Sequence, residues 1–339
     1  MKAKDIKVGV IGYGGSYNMG RGHLREMRRA GMTPTCVVEL DAARRKVAEE
    51  EWPGIETYAS VGAMLKRSSV NLLAIITPHN SHARLALQCL KAGRHVVCEK
   101  PMAITTSECD AMIAAARRKR VMVSTYHNRH WDGCVMNALK IIKRGAIGDV
   151  FRVEAHSGGW RRPRDWWRSS RRISGGILYD WGVHFLEYTL QIMDAPIAEV
   201  TGFAKTGFWS DKTPWKRDTN EDEAFLVVRY ADGRWSSLTI TSIDSHPKEG
   251  SLEVTGTKGT LLFTNKGYKL ISQKRGGPVV TEGENPPHQW PRFYKNIADH
   301  LAKGTPLVIS AEWARRPIHI LDLGIESAKK GRALKAKYR

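Results

Sequence analysis

Short apolar runs alternate with amphipathic segments along the first 125 residues. The runs at 7–11, 35–40, 72–76, 95–98 and 121–124 predict strands. Helical periodicity separates them, at about 22–30, 41–51, 82–92 and 107–118. Strands alternating with helices of this length predict βαβ units and a parallel sheet. We therefore predict an α/β fold whose residues 1–125 form a doubly wound, Rossmann-type domain.

The pattern changes after about residue 125. A helix at 133–144 and a strand at 150–156 are followed by a loop rich in Arg and Trp and by a helix at 176–193. Strands then follow one another at 199–205, 224–230, 234–241, 251–256 and 260–264, and helices at 292–303 and 311–329 close the chain. Residues 126–339 are predicted to form a substrate and oligomerisation domain of the α+β class with an open-faced, largely antiparallel sheet. Its C-terminal helices could pack back on the first domain.

Composition narrows the class of protein. A length of 339 residues with 42% hydrophobic positions suits two domains with real cores. No apolar run approaches the ~20 residues that span a bilayer. The N-terminus leads directly into a strand, and the five scattered cysteines contain no Cys-x-x-Cys pair. We therefore expect reduced thiols, no membrane partner and a cytoplasmic location.

The net charge of +20 raises nucleic acid or an acidic substrate as a partner. Most of the excess is spread in short helical patches, and no helix-turn-helix, zinc-finger or RNP pattern accompanies it. We interpret it as a solvated basic surface and expect no nucleic-acid partner. One segment differs, because residues 161–172 crowd six arginines beside Trp160, Trp166 and Trp167.

A glycine-rich loop follows the first strand. In such a loop, glycines permit a tight turn and the close approach of backbone N–H groups to a pyrophosphate. The strict Gly-x-Gly-x-x-Gly spacing fails, since Tyr17 stands where the third glycine would be, and Gly20 or Gly22 lies nearer the helix start. The position after strand one still favours nucleotide binding. The candidate cofactor contacts here are Gly12, Gly14, Gly15, Ser16, Tyr17 and Asn18.

An acid ends the second predicted strand. Glu39 could accept hydrogen bonds from both ribose hydroxyls and repel a 2′-phosphate, which favours NAD over NADP. The alternative is a helix N-cap region, where Asp41 would serve equally well. Arg44 and Arg45 lie close enough to weaken the preference.

A further turn follows the apolar run at 72–76. It contains four candidate cofactor contacts, Thr77, Pro78, Asn80 and His82, although Asn80 or Ser81 could equally cap the next helix.

Glu99 and Lys100 follow the strand at 95–98, and Pro101 fixes the turn. Both are predicted cofactor contacts, and a lysine at a strand's carboxyl end is well placed to move a proton. A surface lysine is the alternative, but the apolar flanks argue against it.

A second polar group lies in the predicted helix at 176–193. Asp180 and His184 are four residues apart and Glu187 is one turn further on, so on a helix the three share a face. They could line a cleft, although Asp180 and His184 could also be a surface pair. Metal ligation by the pair lacks a third ligand with suitable spacing, and we predict no metal.

Taken together, these motifs resemble the Gfo/Idh/MocA family of NAD(P)-dependent oxidoreductases, which includes glucose–fructose oxidoreductase and inositol dehydrogenase. The matching segments are the glycine-rich start, the turn at 77–82, residues 92–101 and residues 175–184. The resemblance implies NAD-dependent hydride transfer from a sugar or polyol hydroxyl. Lys100 would position the hydroxyl, and His184 would be the principal acid–base, oriented by Asp180. It also implies a homodimer or homotetramer.

The Arg/Trp loop is more basic than a neutral sugar needs. We expect it to border the substrate pocket, where it would favour an anionic sugar, with Trp167 and Arg168 as contacts beside Asn128, Lys100, Asp180 and His184. A solvated loop or an oligomer contact is the alternative.

Two other functions stay open at this point. Relatives that hold NAD tightly can act as glycosidases, which oxidise and re-reduce the sugar around an elimination. A catalytically idle binding or regulatory protein is the second alternative.

Overall fold

The computed structural model describes residues 2–14, 17–264 and 266–338. The chain divides into two units of dense internal contact. The first comprises Met1–Asn128 and Pro291–Arg315, and the second comprises Arg129–Trp290 and Arg316–Arg339. The functional division at 125/126 stays a prediction. No helix in the described part of the chain is long and apolar enough to cross a membrane.

A six-stranded sheet forms the centre of the first unit. Its strands are β1 (Lys7–Ile11), β2 (Thr33–Val38), β3 (Glu56–Tyr58), β4 (Leu72–Ile75), β5 (His95–Cys98) and β6 (Val123–Thr125). They are all parallel and lie in the order β3-β2-β1-β4-β5-β6. β4 is buried at every position, as expected for a central strand covered on both faces. The predicted doubly wound sheet is confirmed.

Helices connect these strands. They are α1 (Met19–Arg29), α2 (Ala42–Glu51), α3 (Val61–Arg67), α4 (His82–Lys91) and α5 (Thr106–Lys119). Side chains cap three of them, because Asp41, Ser60 and Thr105 each accept a backbone N–H of the first turn. β3 and α3 were not predicted, since three and seven residues are too short to show a clear periodicity.

A nine-stranded sheet forms the second unit. It contains β7 (Val150–Ser157), β8 (Ile197–Lys205), β9 (Glu223–Tyr230), β10 (Trp235–Thr241), β11 (Leu252–Gly256), β12 (Gly259–Phe263), β13 (Gly267–Lys274), β14 (Gly277–Glu284) and β15 (Leu334–Lys335). The order is β14-β13-β12-β11-β7-β10-β9-β8-β15, and only β7 with β10 is parallel among the pairings of the described strands. This confirms the largely antiparallel sheet. β13 and β14 were missed because neither buries an alternating face.

The remaining helices are α6 (Gly133–Lys143), α7 (Arg171–Ser174), α8 (Gly182–Met193), α9 (Arg292–Lys303) and α10 (Ala311–Lys330). The continuous helix predicted at 176–193 is wrong. A 3₁₀ turn at Ile177–Tyr179 precedes α8, and Asp180 lies between the two. The break begins at Gly176, whose φ of 128° is outside the helical range, and Glu221 accepts the next backbone N–H, that of Ile177, at 2.9 Å. Asp180 is therefore not a helical i, i+4 partner of His184.

Candidate functional site

Predicted cofactor residues of the first unit follow four neighbouring strands. Gly12 follows β1, Glu39 follows β2, Thr77 follows β4, and Glu99 with Lys100 follows β5. The carboxyl ends of parallel strands lie at one edge of the sheet, and the strand order reverses between β1 and β4. Open α/β sheets bind their ligands at this edge, beside the reversal.

The glycine loop packs against its neighbours at two glycines. Gly12 has a φ of 104°, and a Cβ there would lie 2.8 Å from the carbonyl oxygen of Ile76. A Cβ on Gly20 would lie 2.7 Å from the carbonyl oxygen of Gly12, whereas Gly22 has nothing within 4 Å. Gly20, not Gly22, therefore provides the close helix–strand approach that the fingerprint assigns to its third glycine.

The rest of this loop is partly described. Asn18 has left-handed backbone geometry with a φ of 53°, and its Oδ1 accepts a hydrogen bond from Arg21 at 2.9 Å. Tyr17 is exposed, and Gly14 faces the Arg44 guanidinium. Gly15 and Ser16 lie outside the described residues.

Glu39 is hydrogen-bonded to the glycine loop. Its side chain is 9% exposed, and its two carboxylate oxygens accept the backbone N–H groups of Tyr13 at 2.7 Å and Asp41 at 3.1 Å. A carboxylate has about four acceptor positions, so about two remain for ribose hydroxyls. Asp41 itself caps α2. With the close backbone approach at Gly12 and Gly20, this acceptor fits a dinucleotide.

His82 connects the turn after β4 with the turn after β5. It is buried, and its ring nitrogens lie 2.8 Å from the carbonyl oxygens of Pro101 and Thr77. A proton on either nitrogen lets the ring donate to the carbonyl oxygen that faces it. Thr77 Oγ1 bonds to Ser81 at 2.5 Å, while Asn80 is exposed. Pro78 also belongs to this turn, because its carbonyl accepts from Ser81 at 2.7 Å.

Glu99 and Lys100 form a hydrogen-bonded turn. Glu99 Oε2 accepts the backbone N–H of Lys100 at 2.9 Å, and Oε1 lies 3.0 Å from Nε2 of the buried His23. Burial raises the pKa of Glu99, but the hydrogen bond and charge of His23 and the charge of Lys100 outweigh it, so the pKa is lowered from its usual value. Glu99 is thus an ionised acceptor beside Lys100, whose peptide bond to Pro101 is cis.

In the second unit, Asp180 pairs with an arginine of the Arg/Trp loop. Nη1 of Arg168 lies 2.5 Å from Oδ1 of Asp180. The Arg168 guanidinium also lies over the rings of Trp166 and Trp167, at 5.4 and 5.0 Å from their centroids. The side chain of Asn220 donates to the backbone carbonyl of Arg168 at 2.7 Å. Arg168 is thus fixed from several directions with its charge directed at Asp180.

Asp180, His184 and Glu187 do not share one helical face in the structure. His184 lies in the first turn of α8, almost buried, with the Trp181 ring 5.6 Å away. Glu187 is 1% exposed and accepts from His130 at 2.5 Å and from Gln191 at 2.9 Å. Glu187 therefore belongs to an internal hydrogen-bonded group rather than to an open cleft face. Asn128 begins a 3₁₀ turn, Asn128–Trp131, at the end of the first unit's N-terminal segment.

Sequence reasoning missed a buried carboxylate in the second unit. Asp132 is 0% exposed, and it accepts from Tyr188 Oη at 2.6 Å, Trp290 Nε1 at 2.5 Å and Arg129 at 3.1 Å. His288 lies 3.2 Å away. The position of Asp132 just before α6 was the available signal, but Tyr188, His288 and Trp290 come from distant segments.

The features of the two units define the class of protein. A parallel sheet with a glycine loop, a buried acid after β2 and a lysine turn after β5 is a dinucleotide-binding domain of the Rossmann type, here joined to a second sheet. The chain belongs to the Gfo/Idh/MocA oxidoreductases. Residues 6–127 match the model described as "Oxidoreductase family, NAD-binding Rossmann fold", and residues 135–262 match the GFO/IDH/MocA C-terminal domain.

Similar proteins extend over most of the chain. A scyllo-inositol 2-dehydrogenase (NADP(+)) of Bacillus subtilis is 25% identical, with 98% of this chain and 96% of that protein covered. A myo-inositol 2-dehydrogenase of Thermotoga maritima is 26% identical over 77% of this chain and 75% of its own length. A solved levoglucosan dehydrogenase in complex with NADH and levoglucosan superposes with a TM-score of 0.83 at 20% identity, covering 98% of this chain and all of that one. That last likeness shows the fold.

Proposed function

We propose that this protein is an NAD-dependent dehydrogenase that oxidises a secondary hydroxyl of a neutral cyclic polyol or sugar. Membership of the family and the names of the two inositol dehydrogenases support the substrate class. NAD supplies the hydride acceptor when bound, held by the glycine loop and by Glu39. Lys100 positions the substrate hydroxyl, and an imidazole nitrogen of His184 takes its proton.

The preference for a neutral substrate rests on one observation. Arg168, the arginine predicted to attract an anion, is paired with Asp180 at 2.5 Å. A carboxylated sugar would have to compete with Asp180 for that guanidinium and break the Arg168–Asp180 ion pair. We therefore replace the expected anionic sugar by a neutral one. Asp180 acts as the orienting carboxylate of His184, and Arg168 keeps it in place, with Trp167 and Asn128 as further substrate contacts.

A substrate panel tests the proposed reaction. Inositols, aldoses, alditols and uronates are each offered with NAD, and NADH is followed by absorbance. We expect turnover of neutral cyclic compounds. Turnover of uronates alone would overturn the substrate class, and cleavage of aryl glycosides without accumulation of NADH would replace the dehydrogenase by a glycosidase.

Catalytic variants test the residue roles. Lys100→Met and His184→Asn should each lower kcat about 10²- to 10⁴-fold, the usual contribution of general acid–base groups. Lys91→Met, at an exposed lysine in the last turn of α4, is the matched control. Parent-like turnover by either catalytic variant would refute its assigned role.

Arg168→Ala separates the two roles considered for that arginine. As the partner of Asp180, its loss should lower kcat for neutral polyols by up to about 100-fold, because orientation at the reacting group is lost. As a substrate anchor, its loss would instead lower kcat/KM for uronates and leave neutral substrates unchanged. Arg162→Ala, whose partner Asp165 is an exposed neighbour at 2.6 Å, is the control.

A further inference from the structure

We propose that His23 is a positioning residue for the catalytic turn, holding Glu99 and thereby Lys100 through one ring nitrogen while Tyr294 fixes the other. The inference rests on the proposed function for its kinetic consequences. The geometry itself lies within the first unit, where α1, the turn after β5 and α9 supply one residue each.

Hydrogen-bond accounting determines the orientation of this group. Glu99 is an ionised acceptor, so the His23 nitrogen that lies 3.0 Å from it, Nε2, must carry the proton. Burial raises the pKa of Tyr294 well above its usual value, so its hydroxyl keeps its proton. That hydroxyl lies 2.5 Å from Nδ1 and shares a hydrogen bond with it. The ring therefore carries a proton at Nε2, and Tyr294 fixes Nδ1.

The surroundings hold the ring in this orientation. His23 is 1% exposed, with the Tyr126 ring 4.3 Å from its own and tilted by 56°. Tyr294 meets it edge-on at 5.7 Å. A ring enclosed in this way cannot flip without breaking both bonds, so His23 transmits its position to the Glu99 carboxylate.

The position of His23 on α1 gives the contact a functional meaning. α1 is the helix that follows the glycine loop, and its Gly20 packs on Gly12. Glu99 in turn accepts the Lys100 backbone N–H at 2.9 Å. The segment that holds the dinucleotide is thus tied to the lysine turn through a single side chain, and its loss should affect kcat more than KM.

Two substitutions separate the two ring nitrogens. The amide of His23→Gln can reach the position of Nε2 and donate to Glu99. The amide of His23→Asn reaches only the position of Nδ1, so the bond to Glu99 is lost. Both variants lose the ring contact with Tyr126, and the difference between them reports the bond to Glu99. We expect kcat to fall about 100-fold in His23→Asn and much less in His23→Gln. Equal kcat in the two variants would overturn the proposal.

The pH profile is a second readout. Without the donor from His23, burial raises the pKa of Glu99, and the carboxylate becomes protonated as the pH falls. The kcat of His23→Asn relative to the parent should therefore decrease towards acid pH, while in His23→Gln the ratio stays flat. A flat ratio in both variants would contradict the assignment. The titratable groups that interact with Glu99 include His23, Cys98, Lys100, Tyr126 and Tyr294, and Glu26 acts on the two tyrosines.

Nitrogen-15 NMR of the cofactor-free protein tests the geometry without activity. The His23 signal, identified by its absence in His23→Asn, should show a proton on Nε2. A ring without a proton on Nε2 would refute the proposal. If the parent oxidises no polyol, the proposed function fails while this measurement still decides the inference. His319→Asn, another buried histidine with one backbone bond, should match the parent in kcat and leave the His23 signal in place.

Discussion

Alanine at position 20 would place a methyl group where the glycine loop already lies. The new Cβ would be 2.7 Å from the carbonyl oxygen of Gly12 and 2.9 Å from a ring carbon of Tyr13. Ordinary contacts begin at 3.4 Å, so the loop or α1 must move by about 0.7 Å, the difference between 3.4 and 2.7 Å. The nearest atom belongs to the backbone, which cannot rotate away as a side chain would.

Two opposing effects set the size of the response. Overpacking of this kind costs about 1–3 kcal/mol. Alanine is favoured over glycine inside a helix by about 1 kcal/mol, which offsets part of that cost. We therefore expect a loss of up to about 2 kcal/mol in the free energy of unfolding. The displaced loop is also the predicted pyrophosphate site, so the dissociation constant of NAD should rise about tenfold or more, corresponding to about 1.4 kcal/mol.

Gly22→Ala is the matched control, on the same helix and with nothing within 4 Å of its Cβ. It should stabilise the protein by about 0.4–1 kcal/mol and leave NAD binding unchanged. Urea denaturation measures the free energy of unfolding, and titration calorimetry measures NAD affinity. Equal NAD affinity in the two variants would refute the assignment of Gly20 as the packing glycine of the loop.

Two further variants address carboxylates at the ends of structural elements. Glu39→Gln removes the charge that disfavours a 2′-phosphate, so the ratio of kcat/KM for NAD to that for NADP should fall at least about tenfold, or about 1.4 kcal/mol. Asp41→Asn, at the neighbouring cap, should preserve the ratio. An unchanged ratio in Glu39→Gln would contradict the role of Glu39 in cofactor choice. Asp132→Asn leaves Arg129 without its buried partner and should lower the free energy of unfolding by about 3–5 kcal/mol. The exposed Asp165→Asn should cost at most about 1 kcal/mol, and comparable losses in the two variants would show that burial of Asp132 is not decisive.

Patterns within single segments were sufficient to predict five of the six strands of the first sheet and part of the candidate site. β1 and β5 begin and end where their apolar runs do, and Glu39 lies where a strand end was expected. Gly20 and Gly22 were both open from the spacing, and only the distance to Gly12 separates them. Local signals therefore place the loop, while a contact between segments decides which glycine matters.

Partners from distant segments account for what could not be predicted. His23 is one histidine on the buried face of α1, and nothing nearby in the chain indicates that Tyr294 will bond to it. Asp180 looked helical because apolar positions continue through 177–193, yet Gly176 and Glu221 set a separate turn before α8. Periodicity reports burial along one segment and carries no information about which side chains from other segments meet it.

The basic loop shows how the same limit affects a functional prediction. Its density of arginines indicated an anionic ligand, but three of the six form ion pairs with Asp165, Asp180 and Glu221 within the second unit. Asp218 accepts from the Ser170 hydroxyl and from the backbone of Arg172, which joins the loop to the segment after β8. Partly exposed ion pairs contribute at most about 1 kcal/mol each, so their main effect is to fix geometry rather than to stabilise the fold. Arg168 thus pairs with Asp180, and the density of arginines in the loop does not by itself indicate an anionic substrate.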